Sequence, residues 1–524
     1  MGSEGAFQTI EDMPERYNAT VDLLEGNILA GRGDKVAYID GRGSWTYQQL
    51  CDRVDRVGRV LKDFDVQREQ RVLVCLLDTI DFPSVFLGAI KAGVVPVPVN
   101  TLFNRDTYAF QLRDSRARVA FVAESLIDKF AGLLDECPDL RAVIVTGEGE
   151  GRLDAMLAAA DPLRQAADTF RDEPAFWLYT SGSTGDPKGV VHSQGSLRLT
   201  ADLYGKPVAG FSESDTVFSV AKMFFAYGLG NSLTFPISAG ATVVLLEGRQ
   251  TPEFCSQIIR EHDVTMLCGA PTFFAALLAY PDCPTKHTAP KLRACTSAGE
   301  ALPEALAERF LERFGVWILD GLGSTEMLHI FISQLPDARK FGCTGKPVPG
   351  YEARIIDDDG EVAGAGVLGE LQVRGPTSAL CYWNNRPKTQ RTFVGEWTRT
   401  GDKYVRDEDG YYRYGGRSDD MLKVSGIYVS PFDVEDALVR HTAVLEAAVV
   451  GWADKDGLIK PKAFVVRAAT ATESDEDLEA ALRVHVKACI AKHAYPRWIE
   501  FVEELPKTAT GKIQRFRLRQ PQDA

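Results

Sequence analysis

The sequence predicts an α/β protein: a large N-terminal domain of several subdomains, with parallel-rich sheets and a β subdomain, and a small α+β domain behind it. Three observations carry that reading. Short apolar runs of strand length alternate with stretches of helical apolar spacing, the rhythm of a parallel sheet with right-handed crossovers. Over residues 345–415 helices give way to strands and Gly turns. After Arg417 the composition shifts, and the remainder is roughly the size of a small independent domain. A chain of 524 residues is also too long for one core. The expected division is 1–418 and 419–524, with the junction near Asp419.

Taken in order, Val36–Ile39 is a short strand among helix-like stretches, and Ser44–Tyr47 leads into a helix start at Gln48. Arg71–Leu77 reads as a buried strand. Asp81–Ala92 places Phe82, Val85, Phe86 and Ile90 at helical spacing, with Pro83 tolerated in the first turn. Val94–Val97 is the next strand, and Val119–Val122 and Ala142–Val145 flank another helical stretch. Ala241–Leu246, Val264–Cys268 and Leu292–Ser297 continue the pattern. In the C-terminal part Val444–Val450 and Lys462–Val466 are strands and Glu476–Ala491 is an amphipathic helix. No internal repeat or low-complexity tract is evident.

Composition excludes several classes. An apolar fraction of 45% and a charged fraction of 25% are ordinary for a soluble globular protein. A formal net charge of −14 argues against nucleic acid as the partner. The ten cysteines are scattered without a CxxC pair, which fits reduced thiols in the cytoplasm. Glu4, Glu11, Asp12 and Glu15 precede any apolar run, so no secretory signal is expected. Gly2 is followed by Ala6 where myristoylation needs Ser or Thr. The longest apolar stretch, about Val85–Val99, is broken by Lys91, Gly93, Pro96 and Pro98, so no membrane span is expected.

The chemistry starts at Tyr179–Gly189, a loop between the strand-like Ala175–Leu178 and Val190–Ser193. Gly182, Gly185 and Gly189 let the backbone turn its N–H groups inward. The hydroxyls of Thr180, Ser181, Ser183 and Thr184 add donors, and Lys188 supplies a cation. This chemistry suits a polyphosphate. It is not a Walker A loop, because Lys188 is followed by Gly189 and an apolar strand. Farther on, Asp320-Gly321-Leu322-Gly323-Ser324-Thr325-Glu326 follows the strand-like Val316–Leu319. Its glycines would let a flat ring lie close, and Glu326 offers hard oxygens for Mg²⁺ shared with a nucleotide. Asp402, on the turn Thr400-Gly401-Asp402, can accept from both hydroxyls of a ribose. Gly416–Gly426 mixes charge, Ser and Gly as a linker does. Pro506 and Gly511 shape a loop that carries Lys512.

In this order the motifs resemble the adenylate-forming (acyl-CoA synthetase) superfamily. The pocket strings Phe224-Phe225-Ala226-Tyr227-Gly228-Leu229-Gly230-Asn231 and Gly323–Phe331, with Lys423–Pro431 and Pro506–Phe516, resemble its benzoate–CoA ligase branch. The resemblance implies that Thr180 to Lys188 hold the phosphates of ATP and that Glu326 holds Mg²⁺. Thr184, Glu326 and Lys512 would be catalytic, Lys512 by bridging the attacking carboxylate and the α-phosphate. Ser297, Ala298, Gly299 and Glu300 would line adenine on one face and Asp320 to Thr325 on the other, where Leu322 replaces a residue that is often aromatic in the family. Asp402 and Arg417 would hold the ribose. The small domain would be mobile, pivoting at Asp419, and would bring Lys423, Ser425 and Gly426 to the site for thioester formation with coenzyme A.

For the acid, the resemblance implies a pocket of Phe225, Ala226, Tyr227, Gly228, Gly323, His329 and Ile330. Aromatic walls beside small residues suit a flat ring. Tyr227 and His329 either hydrogen-bond a ring substituent or close the pocket. His192 and His329 have no motif partner in sequence, and no His–carboxylate–Ser triad, metal-ligand cluster or kinase signature competes. The expected activity is ATP-dependent joining of benzoate or a substituted benzoate to CoA through aryl-AMP. The expected partners are the small aromatic acid, ATP and CoA, without nucleic acid or membrane, for a monomer or homodimer. The alternatives are a hydroxy- or aminobenzoate–CoA ligase, an adenylating enzyme that loads a carrier protein, a luciferase-like oxygenase, and a nucleotide sensor without catalysis.

Overall fold

Thr46 closes a short edge strand and caps the helix Tyr47–Asp63. Its side chain accepts from the Gln49 amide while the Gln49 side chain accepts from the Thr46 amide, a reciprocal cap. The helix buries Leu50, Val54, Val57 and Leu61. It packs on the helix Asp81–Lys91, where a Cβ on Gly88 would lie 2.7 Å from Val57. The computed structural model describes residues 6–180, 187–417, 420–424, 427–454, 458–469, 471–490, 494–507 and 513–519, with backbone alone at 423, 427, 428 and 516.

Among the described residues the largest sheet has nine strands. Its middle is parallel: Val36–Asp40, Thr242–Val244, Thr216–Ser219, Met266–Gly269, Ala294–Ala298 and Ile318–Gly323 lie side by side in that order. Antiparallel strands close both edges. A second sheet, fully parallel, runs Val95–Pro98, Arg71–Cys75, Val119–Val122, Ala142–Val145. Each of the sequence-predicted strands in this region forms within a few residues of its expected bounds.

Two smaller units complete the N-terminal part. Pro174–Thr180 and Lys188–Ser193 form an antiparallel hairpin, with Cys381–Tyr382 added at its edge. The expected β subdomain is an antiparallel sheet of Glu352–Ile356, Leu368–Arg374, Trp397–Arg406, Phe393–Val394 and Tyr412–Arg417. The C-terminal part is α+β. Val444–Ala453, Ile459–Arg467 and Trp498–Phe501 form its sheet, covered by the helices Pro431–Val439 and Asp475–Cys489 around a core of its own. Ser474 caps the second helix through the Asp477 amide.

One element runs longer than its sequence suggests. The strand after Trp317 continues through Asp320, Gly321, Leu322 and Gly323, which the sequence places after the strand rather than in it. The glycines are needed because the returning strand Ile330–Ser333 lies close. A Cβ on Gly321 would come within 2.7 Å of the Ile330 side chain, and one on Gly323 within 2.7 Å of the His329 carbonyl oxygen. All ten cysteines are free thiols, and burial pushes Cys51, Cys75, Cys255 and Cys268 up to about 12. Among the described residues no helix is long and apolar enough to cross a membrane.

Candidate active site

Neighbouring parallel strands end on the same edge of their sheet, so the segments after them share one crevice. In open α/β sheets that is where ligands bind. Here Thr216–Ser219 leads to Ala221–Gly228, Ala294–Ala298 leads to Gly299 and Glu300, and Ile318–Gly323 leads to Ser324, Thr325 and Glu326. Ser297 pairs with Asp320 and Ala298 with Gly321. The structure therefore brings together the proposed adenine-lining residues, the Glu326 segment and the proposed acid pocket.

On the nucleotide side, Thr180 pairs with Lys188 at the end of the hairpin where the two strands are joined in sequence. Ser181, Gly182, Ser183, Thr184 and Gly185 lie outside the described residues. Glu326 is half-buried, and its Oε1 accepts a 2.6 Å hydrogen bond from the Tyr382 hydroxyl. Its backbone carbonyl accepts from the Ala379 amide at 2.8 Å. One residue earlier, the Thr325 carbonyl lies 2.8 Å from Nε2 of His192. Ser324 Oγ accepts from the Met327 amide. Asp320 is buried, and Oδ1 has no hydrogen-bond partner. Burial pushes its carboxyl up to about 8, against the opposing backbone amides of Gly321 and Leu302. Buried Ser297 Oγ is likewise unpartnered.

Asp402 and Arg417 face each other across paired strands. Arg417 Nη1 donates to Asp402 Oδ1 at 3.0 Å. The adjacent Asp402 carboxylate raises the Arg417 guanidinium above its ordinary value. The Thr400-Gly401-Asp402 segment, expected as a turn, lies within the strand Trp397–Arg406, and Gly401, at φ +74°, lets Arg417 come close: a Cβ there would lie 3.2 Å from its guanidinium. Among the described residues the C-terminal part meets this region through polar contacts and through the rings of Tyr414 and Phe432, 5.7 Å apart. The Ile513 amide donates to Glu300 Oε1 at 2.9 Å, Arg440 lies 3.3 Å from Glu304, and Arg413 lies 3.2 Å from Asp433. Asp419, Ser425, Gly426 and Lys512 lie outside the described residues, as does the Lys423 side chain.

Of the proposed acid-pocket residues, Ala226, Tyr227 and Gly228 sit on a helical stretch from Ala226 to Ala239 that contains a π-helical turn at Gly230–Thr234. Such turns recur at functional sites. Phe225 packs on Phe224, ring centroids 4.5 Å apart. The Tyr227 hydroxyl is 2.8 Å from Thr296 Oγ1, so it is already paired. His329 is buried among Tyr204, Tyr227 and Phe235, with Nε2 3.3 Å from the Tyr227 carbonyl and Nδ1 unpartnered. Burial pulls this imidazole down to about 3, so it is neutral. Ile330 is buried beside Gly321. Gly228 leaves no room for a side chain, because a Cβ would overlap the carbonyl oxygen of Lys222. Lys222 Nζ donates to the Leu246 carbonyl at 2.6 Å and lies 3.5 Å from buried Asp78, which anchors the segment.

Tyr382, His192, Lys222 and Asp78 were not read as site residues in the sequence. Tyr382, His192 and Asp78 are brought in only by strand pairing or loop packing over long sequence separations, whereas Lys222 lies within the segment that the sequence reads as leading into the pocket. Among the described residues no cluster of three His, Cys, Asp or Glu side chains could hold a metal by itself.

Comparison with known proteins agrees with this geometry. Residues 27–383 match the model of the AMP-binding enzyme family, and residues 433–512 that of the AMP-binding enzyme C-terminal domain. The chain is 56% identical over 510 residues to a benzoate–CoA ligase of Thauera aromatica, covering 97% of this chain and 96% of that one. It is 46% identical over 512 residues to a 4-hydroxybenzoate–CoA/benzoate–CoA ligase of Rhodopseudomonas palustris, covering 97% and 95%. It superposes on the crystal structure of a benzoate CoA ligase from Burkholderia xenovorans LB400 with a TM-score of 0.91 at 47% identity, covering 96% of this chain and 100% of that one.

Proposed function

The chain belongs to the AMP-binding enzyme family, and from that premise we propose that it joins benzoate or a substituted benzoate to coenzyme A at the expense of ATP. The enzyme is an AMP-forming acid–thiol ligase: the aryl carboxylate attacks the α-phosphate of ATP, pyrophosphate leaves, and the CoA thiol then displaces AMP from aryl-AMP. The observation that carries the reading is the crevice itself. The aromatic pocket, the Glu326 segment and the adenine-lining residues follow the ends of neighbouring strands in one sheet.

The roles of individual residues are our reading. Thr180, Lys188 and the loop between them bind the phosphates. Glu326 fits Mg²⁺: its carboxylate is a hard donor held in place by Tyr382, and an Mg²⁺ ion at a nucleotide takes its other oxygens from phosphate and water. Bound there, Mg²⁺ would neutralise phosphate charge. Asp402, held by Arg417, accepts from the ribose hydroxyls. Asp320 and the Gly299–Glu300 turn flank adenine. Lys512 bridges the reacting oxygens as negative charge builds, and the C-terminal part then turns about Asp419 to bring Lys423, Ser425 and Gly426 round for the thiol step.

The pocket favours an unsubstituted ring, because the Tyr227 hydroxyl is committed to Thr296. The unpartnered Nδ1 of His329 is a buried acceptor that a ring amino or hydroxyl group would need to reach. The test is a panel of benzoate, its hydroxy-, amino- and fluoro- derivatives, cyclohexanecarboxylate and a short fatty acid, with ATP, Mg²⁺ and CoA, following AMP and thioester together. Fast thioester formation with benzoate is expected. AMP-forming exchange without thioester would point to carrier-protein loading, and silence with every acid would overturn the assignment.

A further inference from the structure

The hairpin Pro174–Thr180/Lys188–Ser193 and the Glu326 segment belong to different sheets, yet two side chains tie them together. His192 is fully buried on the strand that leaves the phosphate-binding loop. Its ring lies 5.2 Å from that of Phe176, its partner across the hairpin, at an interplanar angle of 21°. Its Nε2 is 2.8 Å from the Thr325 carbonyl oxygen. A carbonyl only accepts, so Nε2 carries the proton and donates. The second tie is the Tyr382 hydroxyl on Glu326 Oε1, at 2.6 Å. Tyr382 sits on the edge strand that pairs with the same hairpin, Tyr382 opposite Val190 and Cys381 opposite Val191. One tie grips the backbone just before Glu326, the other grips its carboxylate, and both come from the unit that carries the phosphate-binding loop.

We propose that His192 and Tyr382 are positioning residues that hold Glu326 in register with the hairpin strands that end at Thr180 and begin at Lys188. The proposal rests on the reading of Glu326 given above. A carboxylate that shares a small, hard cation with a triphosphate has to sit within about 0.5 Å of its working place, and supporting hydrogen bonds secure that. Neither tie is needed to form the strands, whose backbone pairing is complete without them.

The test uses the full chain and four variants: His192→Phe, His192→Gln, Tyr382→Phe and Phe176→Leu. Binding of Mg·ATP is read by calorimetry without any acid, and the Mg²⁺ and acid dependence of turnover is read separately. His192→Phe and Tyr382→Phe are each expected to weaken Mg·ATP by about 10–100-fold, the range usual for partners that orient a metal ligand, and to leave the KM for the acid unchanged. His192→Gln keeps an N–H donor and is expected to lie closer to wild type. Phe176→Leu removes the ring contacts with His192 and Phe86 but leaves both hydrogen bonds, and is expected to lower Tm without changing Mg·ATP affinity. Wild-type affinity and Mg²⁺ dependence in both His192→Phe and Tyr382→Phe would overturn the proposal. So would an equal loss in Phe176→Leu. If His192→Phe does not fold, Tyr382→Phe and His192→Gln decide the matter. A wild type that binds Mg·ATP but turns over no acid would overturn the function and leave the calorimetric comparison decisive for the two residues.

Discussion

Asp320, His192 and His329 are three titratable groups that the fold forces into unusual states, and their effects on stability run in opposite senses. Asp320 is raised from 3.8 to about 8 by burial. Between those values the unfolded chain has lost a proton that the folded chain keeps, so stability falls as pH rises through that window. Asp320→Asn, which is neutral throughout, should gain in Tm over wild type progressively from about pH 4 to pH 8. The histidines are lowered by burial from 6.5 to about 4 and about 3. There the unfolded chain binds protons that the folded chain refuses, so stability is complete above pH 6.5 and is lost on acidification towards pH 4. Thermal melts across pH 4–8 for wild type, Asp320→Asn and His192→Gln check both limbs, and a flat Asp320→Asn difference would refute the first. At this scale the order of residues around Glu326 was legible because a carboxylate after a Gly-rich strand has a definite chemistry. Tyr382 was not, because nothing near it in the chain marks a tyrosine as its partner.

At the scale of elements, the Ala226–Ala239 stretch shows what one glycine does. The segment doubles back on Ala221 and Lys222, and a Cβ on Gly228 would overlap their carbonyl oxygens. Backbone cannot swing aside as a flexible side chain can. Gly228→Ala should therefore cost about 1–3 kcal/mol in denaturant unfolding. It should also raise the KM for the aromatic acid while leaving that for ATP near wild type, because the clash lies on the acid side of the crevice. An equal rise in both would show that the segment is not specific to the acid. The helix start after Thr46 was readable because its cap is local. The extension of Ile318 through Gly323 into a strand was not, since it depends on pairing with Ala294–Ala298 and Ile330–Ser333.

For the whole molecule, the described contacts between the two parts of the chain include both polar pairs and the Tyr414–Phe432 ring contact. The Ile513 amide, one residue past Lys512, donates to Glu300 Oε1, and Arg440 reaches Glu304. Glu300→Ala should lower acid-dependent pyrophosphate exchange by about 10-fold or more, the worth of a hydrogen bond to a charged group. Thioester formation from preformed aryl-AMP should be unaffected. Loss of both half-reactions alike would mean that Glu300 serves the nucleotide alone.

By itself the sequence determined the α/β class, the strand order along the chain and the identity of Glu326, Asp402 and the acid-pocket residues as candidates. The fold class and strand order rest on apolar periodicity and glycine at tight turns, the candidates Glu326 and Asp402 on short runs with a definite chemistry, and the acid-pocket residues on the resemblance to the adenylate-forming superfamily. The tertiary structure alone decided that Tyr227 spends its hydroxyl on Thr296, that His329 is a neutral buried ring, and that His192 and Tyr382 meet the Glu326 segment. These contacts span 69, 133 and 56 residues in the cases of Tyr227, His192 and Tyr382. Hydrogen bonds over such separations exist only once sheets have paired and packed, and no local pattern encodes which donor will meet which acceptor.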